Sequence, residues 1–235
     1  MKRNTVFSLV LACYNEGPTF LASLKKLREL LEDLPYGYEI ICIDDASKDE
    51  TLHTLTKFAK PYKNIRVISH KNNVGRGGTV KEGILMAKGK FVGYIDVDLE
   101  ISAIYIPDFI RTLKKGADVV IAQRVYQENI GSMPRWLASK LYIILVRHLL
   151  DLPFKDTEAG YKFFKRSTII AVLKRTRDKK WFFDTEIIAR SHKSKLVIEE
   201  IPVLFMRRAD KKSTVRLIPD TIAYIKAINK YKRNL

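Results

Sequence analysis

Short apolar runs that end in acidic or polar residues, separated by helix-period segments, constrain this chain more than any other feature. Val6–Ala12, Tyr38–Ile43, Ile65–Ser69, Phe91–Ile95 and Asp118–Ala122 have the length and apolarity of buried strands. Between them, Pro18–Leu34 places Phe20, Leu24, Leu27 and Leu31 on one helical face, and Glu50–Ala59, Gly77–Ala87 and Ile106–Lys115 also read as helices. Ser47 is the expected N-cap of the second helix, with Asp49 and Glu50 in its first turn. Such alternation predicts an α/β fold, a largely parallel sheet with helices on both faces. The second half is less regular. Arg135–Leu150 is amphipathic, Tyr161–Phe164 is a candidate strand, Phe183–Ser191 a helix, Leu196–Phe205 one or two strands broken at Pro202, and Thr221–Tyr231 a final helix. No repeat or linker interrupts the 235 residues, so one continuous domain is expected.

In a parallel sheet, ligands bind beyond the carboxyl ends of the strands. Tyr14-Asn15-Glu16, Asp44-Asp45 and Asp96-Val97-Asp98 follow three of the apolar runs and would meet at one crevice. Two carboxylates flanking one residue can hold a hard divalent cation, Mg²⁺ or Mn²⁺, with Glu100 as a further ligand, direct or through water. A cation so held bridges a diphosphate and neutralises charge on a leaving nucleoside diphosphate. Asp44-Asp45 can accept from a nucleoside base or ribose, or can cap the next helix; Glu16 has the same two options. Asn73-Val74-Gly75-Arg76-Gly77-Gly78 is neither a Walker A loop nor a full dinucleotide fingerprint, yet it lets backbone approach a diphosphate at a helix N-terminus.

Charge divides unevenly. Residues 1–123 carry 18 Lys/Arg against 15 Asp/Glu, and residues 124–235 carry 25 against 11, within a net charge of +17. A basic field favours an anionic partner such as nucleic acid, an anionic membrane surface or phosphorylated substrates; a basic surface with no binding role is the alternative. Cys13 and Cys42 lie in apolar runs, and the four histidines show no metal-ligand spacing, which suits a reducing cytosol. Lys2-Arg3 before a seven-residue apolar run resembles a lipoprotein signal, but a buried first strand explains it better. No window approaches the roughly 18 apolar residues of a membrane span, so a soluble or peripheral protein is expected.

The order Ala-Cys-Tyr-Asn-Glu (12–16), Ile-Asp-Asp-Ala-Ser (43–47), Asn-Val-Gly-Arg-Gly-Gly (73–78) and Asp-Val-Asp-Leu (96–99) resembles family 2 glycosyltransferases of the GT-A (Rossmann-like) fold, over nearly the whole chain. Gln123-Arg124, Asp-Thr-Glu-Ala-Gly-Tyr-Lys-Phe-Phe (156–164), Trp-Phe-Phe-Asp-Thr-Glu (181–186) and Glu199–Val203 are similar to the polyprenyl-phosphate branch, which includes dolichyl-phosphate mannose synthases and glucosyltransferases. The resemblance implies a nucleotide-binding half, residues 1–123, and an acceptor-binding half, residues 124–235. It implies nucleotide contacts from Ala12, Tyr14, Glu16, Ile43 and Asp45, a metal and diphosphate site at Asp96, Val97, Asp98 and Glu100, and phosphate contacts from Arg124, Arg135 and Arg208. Three positions depart from the family: Ala12 stands where Pro is common, Arg76 where Lys is, and Thr214 follows Ser213 where a lysine is usual, leaving Lys211, Lys212 or Arg216 to replace it.

The activity implied is inverting transfer of a hexose from a UDP-glucose- or GDP-mannose-type donor to a polyprenyl or dolichyl phosphate, with Mg²⁺ or Mn²⁺ as cofactor. A phosphate acceptor is already largely anionic at neutral pH, so it needs cations rather than a base. A sugar-hydroxyl acceptor, as in surface-polysaccharide synthesis, needs a carboxylate base, for which Asp156 is the first candidate, then Asp184 and Glu186. Arg135–Leu150, with Trp136, and the basic final helix suit a bilayer interface on the cytoplasmic face, alone or with a membrane-anchoring partner protein; two ordinary core helices are the alternative. A nucleic-acid-binding module is a further class, but no basic helix or aromatic-interleaved sheet marks one, so no nucleic-acid partner is expected.

Overall fold

The computed structural model describes residues 4–126, 146, 149–207 and 217–233, with side chains of the last helix from residue 222. The first half follows a strict alternation: β1 (Thr5–Cys13), α1 (Phe20–Glu32), β2 (Gly37–Asp44), α2 (Thr51–Ala59), β3 (Ile65–Ser69), α3 (Arg76–Met86), β4 (Phe91–Ile95), α4 (Ile106–Lys115) and β5 (Val119–Tyr126). Then come β6 (Tyr161–Lys165), α5 (Arg166–Arg175), α6 (Phe183–Lys193), β7 (Ile198–Phe205) and α7 (Leu217–Arg233). Among the described residues the strands form one sheet in the order β3-β2-β1-β4-β6-β5-β7. Only β6 runs antiparallel to its neighbours, so the expected mostly parallel sheet is present.

Side-chain alternation along β1 builds both faces. Phe7, Leu9, Leu11 and Cys13 enter a core with Leu24, Leu27 and Leu31 of α1 and Phe109, Ile110 and Leu113 of α4. Val10 enters the opposite core with Val80 and Ile84 of α3, Ile169 and Val172 of α5, and Ile187 and Ile188 of α6. Each such side chain, fully buried, contributes roughly 1.5–3 kcal/mol.

Three local expectations are corrected. Ser47 does not cap α2; its Oγ accepts from the Asn15 amide at 3.0 Å and ties the loop after β1 to the loop after β2. Asp49 holds the Thr51 amide at 3.0 Å instead. Leu196–Phe205 yields a single strand from Ile198 that runs through Pro202, because β7 is the edge strand beside β5 and, apart from one bridge between Phe205 and Ile101, no second ladder among the described residues needs the amide missing at Pro202. Helix α5, with Ile169, Val172 and Leu173 at helical spacing, is additional to the elements expected from the sequence. Most of the amphipathic segment Arg135–Leu150, including Trp136, lies outside the described residues.

Candidate active site

The parallel register brings the carboxyl ends of β1, β2 and β4 to one edge, with Cys13 level with Asp44. The backbone beyond these three ends is strained. Asn15, Ala46 and Leu99 have φ of 52°, 61° and 56°, in the left-handed region that costs a non-glycine residue about 1–3 kcal/mol. Three of the five such residues among the described ones fall at these strand ends, the others being Asp151 and Lys195, which makes this edge the candidate site.

The two acids after β2 divide the work. Asp44 is 1% exposed and contributes to a cleft of about 580 Å³ with Tyr14, Lys48, Ser69, His70 and Asn73. Its Oδ2 accepts from the Ser47 amide at 3.3 Å and the Ser69 hydroxyl at 3.4 Å, while its Oδ1 is buried without a partner. A buried carboxylate oxygen left unsatisfied costs about 1–3 kcal/mol, which a ligand N–H or O–H would recover. Asp45 is turned onto the glycine-rich loop: Oδ1 accepts from the Val74 amide at 2.8 Å and Oδ2 from the Gly75 amide at 2.9 Å. Asp45, the acid for which the family pattern implies a nucleotide contact, is thus engaged by the loop, while Asp44 keeps one carboxylate oxygen without a partner. Ile43 is wholly buried in the core, so its side chain does not reach the cleft. Tyr14, 40% exposed, is on the cleft wall, and Glu16 Oε1 accepts the Tyr14 amide at 3.1 Å.

A buried charge cluster anchors the Asp-X-Asp turn. Arg76, the first residue of α3, reaches Asp96 Oδ1 through Nη2 at 2.6 Å and Nε at 3.0 Å, and Asp184 through Nη1 at 2.5 Å. Asp184, at the start of α6, also accepts from the Tyr94 hydroxyl at 2.5 Å and pairs with Lys162 at 3.3 Å. Lys162 is wholly buried, also donates to the Ala159 carbonyl, and is held below the ordinary lysine range by burial, against the opposing pull of Asp184. From sequence Asp184 stands only behind Asp156 as a candidate base, and the one signal for Lys162 is a lysine inside the apolar run Tyr161–Phe164, which requires a buried partner.

Gly160 makes the cluster possible. It faces Asp96 across the sheet, its carbonyl accepting the Asp96 amide at 3.0 Å, and a Cβ there would overlap both Asp96 Oδ2 and Arg76 Nη2. Gly160→Ala is expected to separate Arg76 from Asp96 and lower stability by about 1–3 kcal/mol, measured by urea unfolding. An unchanged midpoint would show that the pair tolerates displacement.

Asp96 and Asp98 supply hard oxygen donors of the kind Mg²⁺ and Mn²⁺ take, Val97 between them being buried. The expected three-carboxylate set with Glu100 is not preassembled: among the described residues no group of three His, Cys, Asp or Glu can hold a metal ion. Asp96 already engages Arg76, and Asp98 Oδ1 accepts the Glu100 amide at 3.3 Å. The donor set fits a cation that keeps water and ligand oxygens in its shell, as Mg²⁺ commonly does with one or two carboxylates and a phosphate.

Arg124, near the end of β5, donates to Asp156 through Nε at 2.6 Å and Nη2 at 3.0 Å. Asp156 also accepts the Glu158 and Ala159 amides, each at 3.1 Å, and Glu200 holds the Asp156 amide at 3.1 Å. Burial alone would raise the Asp156 carboxyl; Arg124 overrides it and holds the carboxyl below its usual range. Asp156 is thus an anchor for Arg124 and a poor base. Arg135 and Arg208 lie outside the described residues, as do Lys211, Lys212, Ser213, Thr214 and Arg216.

The sheet order and the convergent strand ends place the chain in the GT-A class of α/β proteins. Glucosyl-3-phosphoglycerate synthase from Mycobacterium tuberculosis, solved in complex with UDP, superposes with a TM-score of 0.73 at 16% identity, covering 97% of this chain and 80% of that one. The same synthase solved with Mg²⁺ and UDP gives a TM-score of 0.71. The chain belongs to glycosyl transferase family 2, which it matches over residues 8–173. A dolichyl-phosphate beta-glucosyltransferase of Dictyostelium discoideum is 32% identical over 219 residues, 85% of this chain. The Saccharomyces cerevisiae protein of the same name is 28% identical over 219 residues, 83% of this chain. The chain spans 66% and 65% of the length of these two relatives.

Proposed function

We propose that the protein transfers a hexose, with inversion, from a uridine diphosphate sugar to a polyprenyl phosphate at a membrane surface. The observation that carries the donor assignment is Asp44. Its single unsatisfied oxygen matches the one ring N–H of uracil, whereas guanine presents two adjacent donors to a carboxylate whose other oxygen is already held by Ser47 and Ser69. The names of the relatives, dolichyl-phosphate beta-glucosyltransferase, support glucose as the sugar and a dolichyl-type phosphate as the acceptor.

The chemistry follows from charge. A phosphate oxygen of the acceptor forms the bond to the anomeric carbon, the bond from that carbon to the diphosphate oxygen breaks, and UDP departs with the electron pair. The nucleophile carries no proton that must be removed at neutral pH. Of the carboxylates a sugar hydroxyl would require, Asp156 is engaged by Arg124, Asp184 by Arg76 and Lys162, and Glu186 by Arg190 at 2.7 Å. That occupancy favours the phosphate acceptor. Arg124 brings the acceptor anion up, and Asp96 and Asp98 would hold Mg²⁺ or Mn²⁺, which supplies charge neutralisation on the diphosphate. Among the described residues no helix is long and apolar enough to cross a membrane. Membrane contact on the cytoplasmic face, with or without an anchoring partner, belongs to the same proposal.

The assay offers UDP-glucose and GDP-mannose with Mn²⁺ to polyprenyl phosphate or to free saccharides. Glucosylated lipid is the expected product, and Asp44→Ala is expected to weaken UDP binding about tenfold or more, by loss of one charge-assisted hydrogen bond. Saccharide product alone would defeat the acceptor assignment. Preferential use of GDP-mannose would defeat the donor assignment.

A further inference from the structure

His70, the residue after β3, stands between two carboxylates. Its Nδ1 lies 2.8 Å from Asp45 Oδ1 and its Nε2 3.0 Å from Glu82 Oε2. A neutral imidazole carries one N–H, so it would turn a lone pair toward one of these acids; only the cation donates to both. Its side chain is 11% exposed and Asp45 only 4%, while Glu82, on α3, is 43% exposed. The backbone fixes the ring as well, since the His70 amide donates to the Asp44 carbonyl at 2.9 Å.

Asp45 is the pivot. The carboxylate that meets His70 also receives the Val74 and Gly75 amides, and the Asp45 carbonyl accepts from the Asn73 side chain at 3.1 Å. Gly75, with φ of 91°, sits immediately before Arg76, whose guanidinium grips Asp96 and Asp184. The ring also lines the cleft beside Asp44. We propose that His70, carried as an imidazolium between Asp45 and Glu82, is a positioning residue for the donor: it fixes the glycine-rich loop that aims Arg76 and adds a positive charge to the wall of the nucleotide cleft. The inference rests on the reading of that cleft as a nucleotide site.

The groups facing the ring are Asp45 from the β2 end, Glu82 from α3 and the buried Asp44, with Lys48 and Lys71 on the same cleft wall. Burial pulls the imidazole down, but hydrogen bonds to Asp45 and Glu82 outweigh it, and the group is held above its ordinary value. A folded-state value above the unfolded one means the interaction is complete below the unfolded value, near 6.5, and is lost as pH rises through the folded value. The fold therefore favours the cation relative to a free imidazole, and the cation is lost as pH rises.

The test measures binding of UDP with Mg²⁺ by calorimetry between neutral and mildly alkaline pH, on the whole protein. Wild-type affinity is expected to fall about tenfold as the imidazole loses its proton. His70→Gln is expected to bind about tenfold more weakly at neutral pH and to keep only the pH dependence of the ligand itself. His70→Arg, permanently charged and forked, is expected to recover most of the neutral-pH affinity without the alkaline loss. Because Glu82 is partly exposed, Glu82→Gln leaves the fold intact and is expected to move the midpoint to lower pH, a shift that the His70 ring resonances report independently of binding. Wild type and His70→Gln titrating in parallel, or a midpoint unmoved in Glu82→Gln, would overturn the role of His70. Absence of UDP binding at every pH would overturn the nucleotide reading instead.

Discussion

Asp184→Asn is expected to lower the stability of the protein by about 3–5 kcal/mol, the range found when one partner of a buried ion pair is removed. The reason lies in what the carboxylate holds. Arg76, Lys162 and the Tyr94 hydroxyl all converge on it, and Lys162 is 0% exposed. Asparagine keeps the shape and one acceptor oxygen but removes the negative charge, leaving a buried ammonium without its paired carboxylate and with only the weaker pull of Asp156. Urea unfolding at neutral pH would measure the loss. The penalty should shrink as pH rises, because burial already pulls Lys162 downward and its neutral form needs no partner. Replacing both residues, Asp184→Asn with Lys162→Met, should recover more than half of the loss, since a well-packed apolar side chain often replaces a buried ion without penalty. A loss under about 1 kcal/mol, or no recovery in the double variant, would show that the pair is solvated in solution.

What the sequence made legible was periodic. Strand-length apolar runs and the helical spacing of Leu24, Leu27 and Leu31 reflect burial on a face, and burial on a face is written one residue at a time. The acidic strand ends were legible for the same reason, because each follows directly on a run. Partner choice was not. Asp44 and Asp45 are neighbours of identical chemistry, and only the left-handed turn at Ala46 and the distant loop of Val74 and Gly75 decide which carboxylate is consumed and which is left open. The Arg76–Asp184 contact joins residues 108 apart in sequence, and no local pattern encodes such a pairing. Asp156 illustrates the opposite error. A carboxylate in a motif reads as a base until the arginine 32 residues away is seen to occupy both of its oxygens.

That occupancy shapes the second large effect. Arg124→Ala is expected to reduce turnover with polyprenyl phosphate about 30- to 1,000-fold, corresponding to roughly 2–4 kcal/mol of lost pairing with a phosphate in a partly buried site. The guanidinium is 17% exposed and two of its nitrogens bind Asp156, so its geometry is fixed before any acceptor arrives. A cation already oriented needs little reorganisation as charge moves from acceptor to leaving group, and preorganisation of this kind is where electrostatic catalysis resides. Arg124→Lys separates charge from shape. It keeps a cation but cannot grip Asp156 with two parallel bonds, so intermediate turnover is expected. Removing Arg124 also strands Asp156, whose carboxyl should then rise back toward or above its usual range and weaken the fold at neutral pH. Thermal unfolding of each variant therefore accompanies the kinetics. Turnover that falls while the surviving folded protein binds UDP normally would place Arg124 on the acceptor side of the reaction. Turnover that merely tracks the folded fraction would reduce it to a structural partner of Asp156.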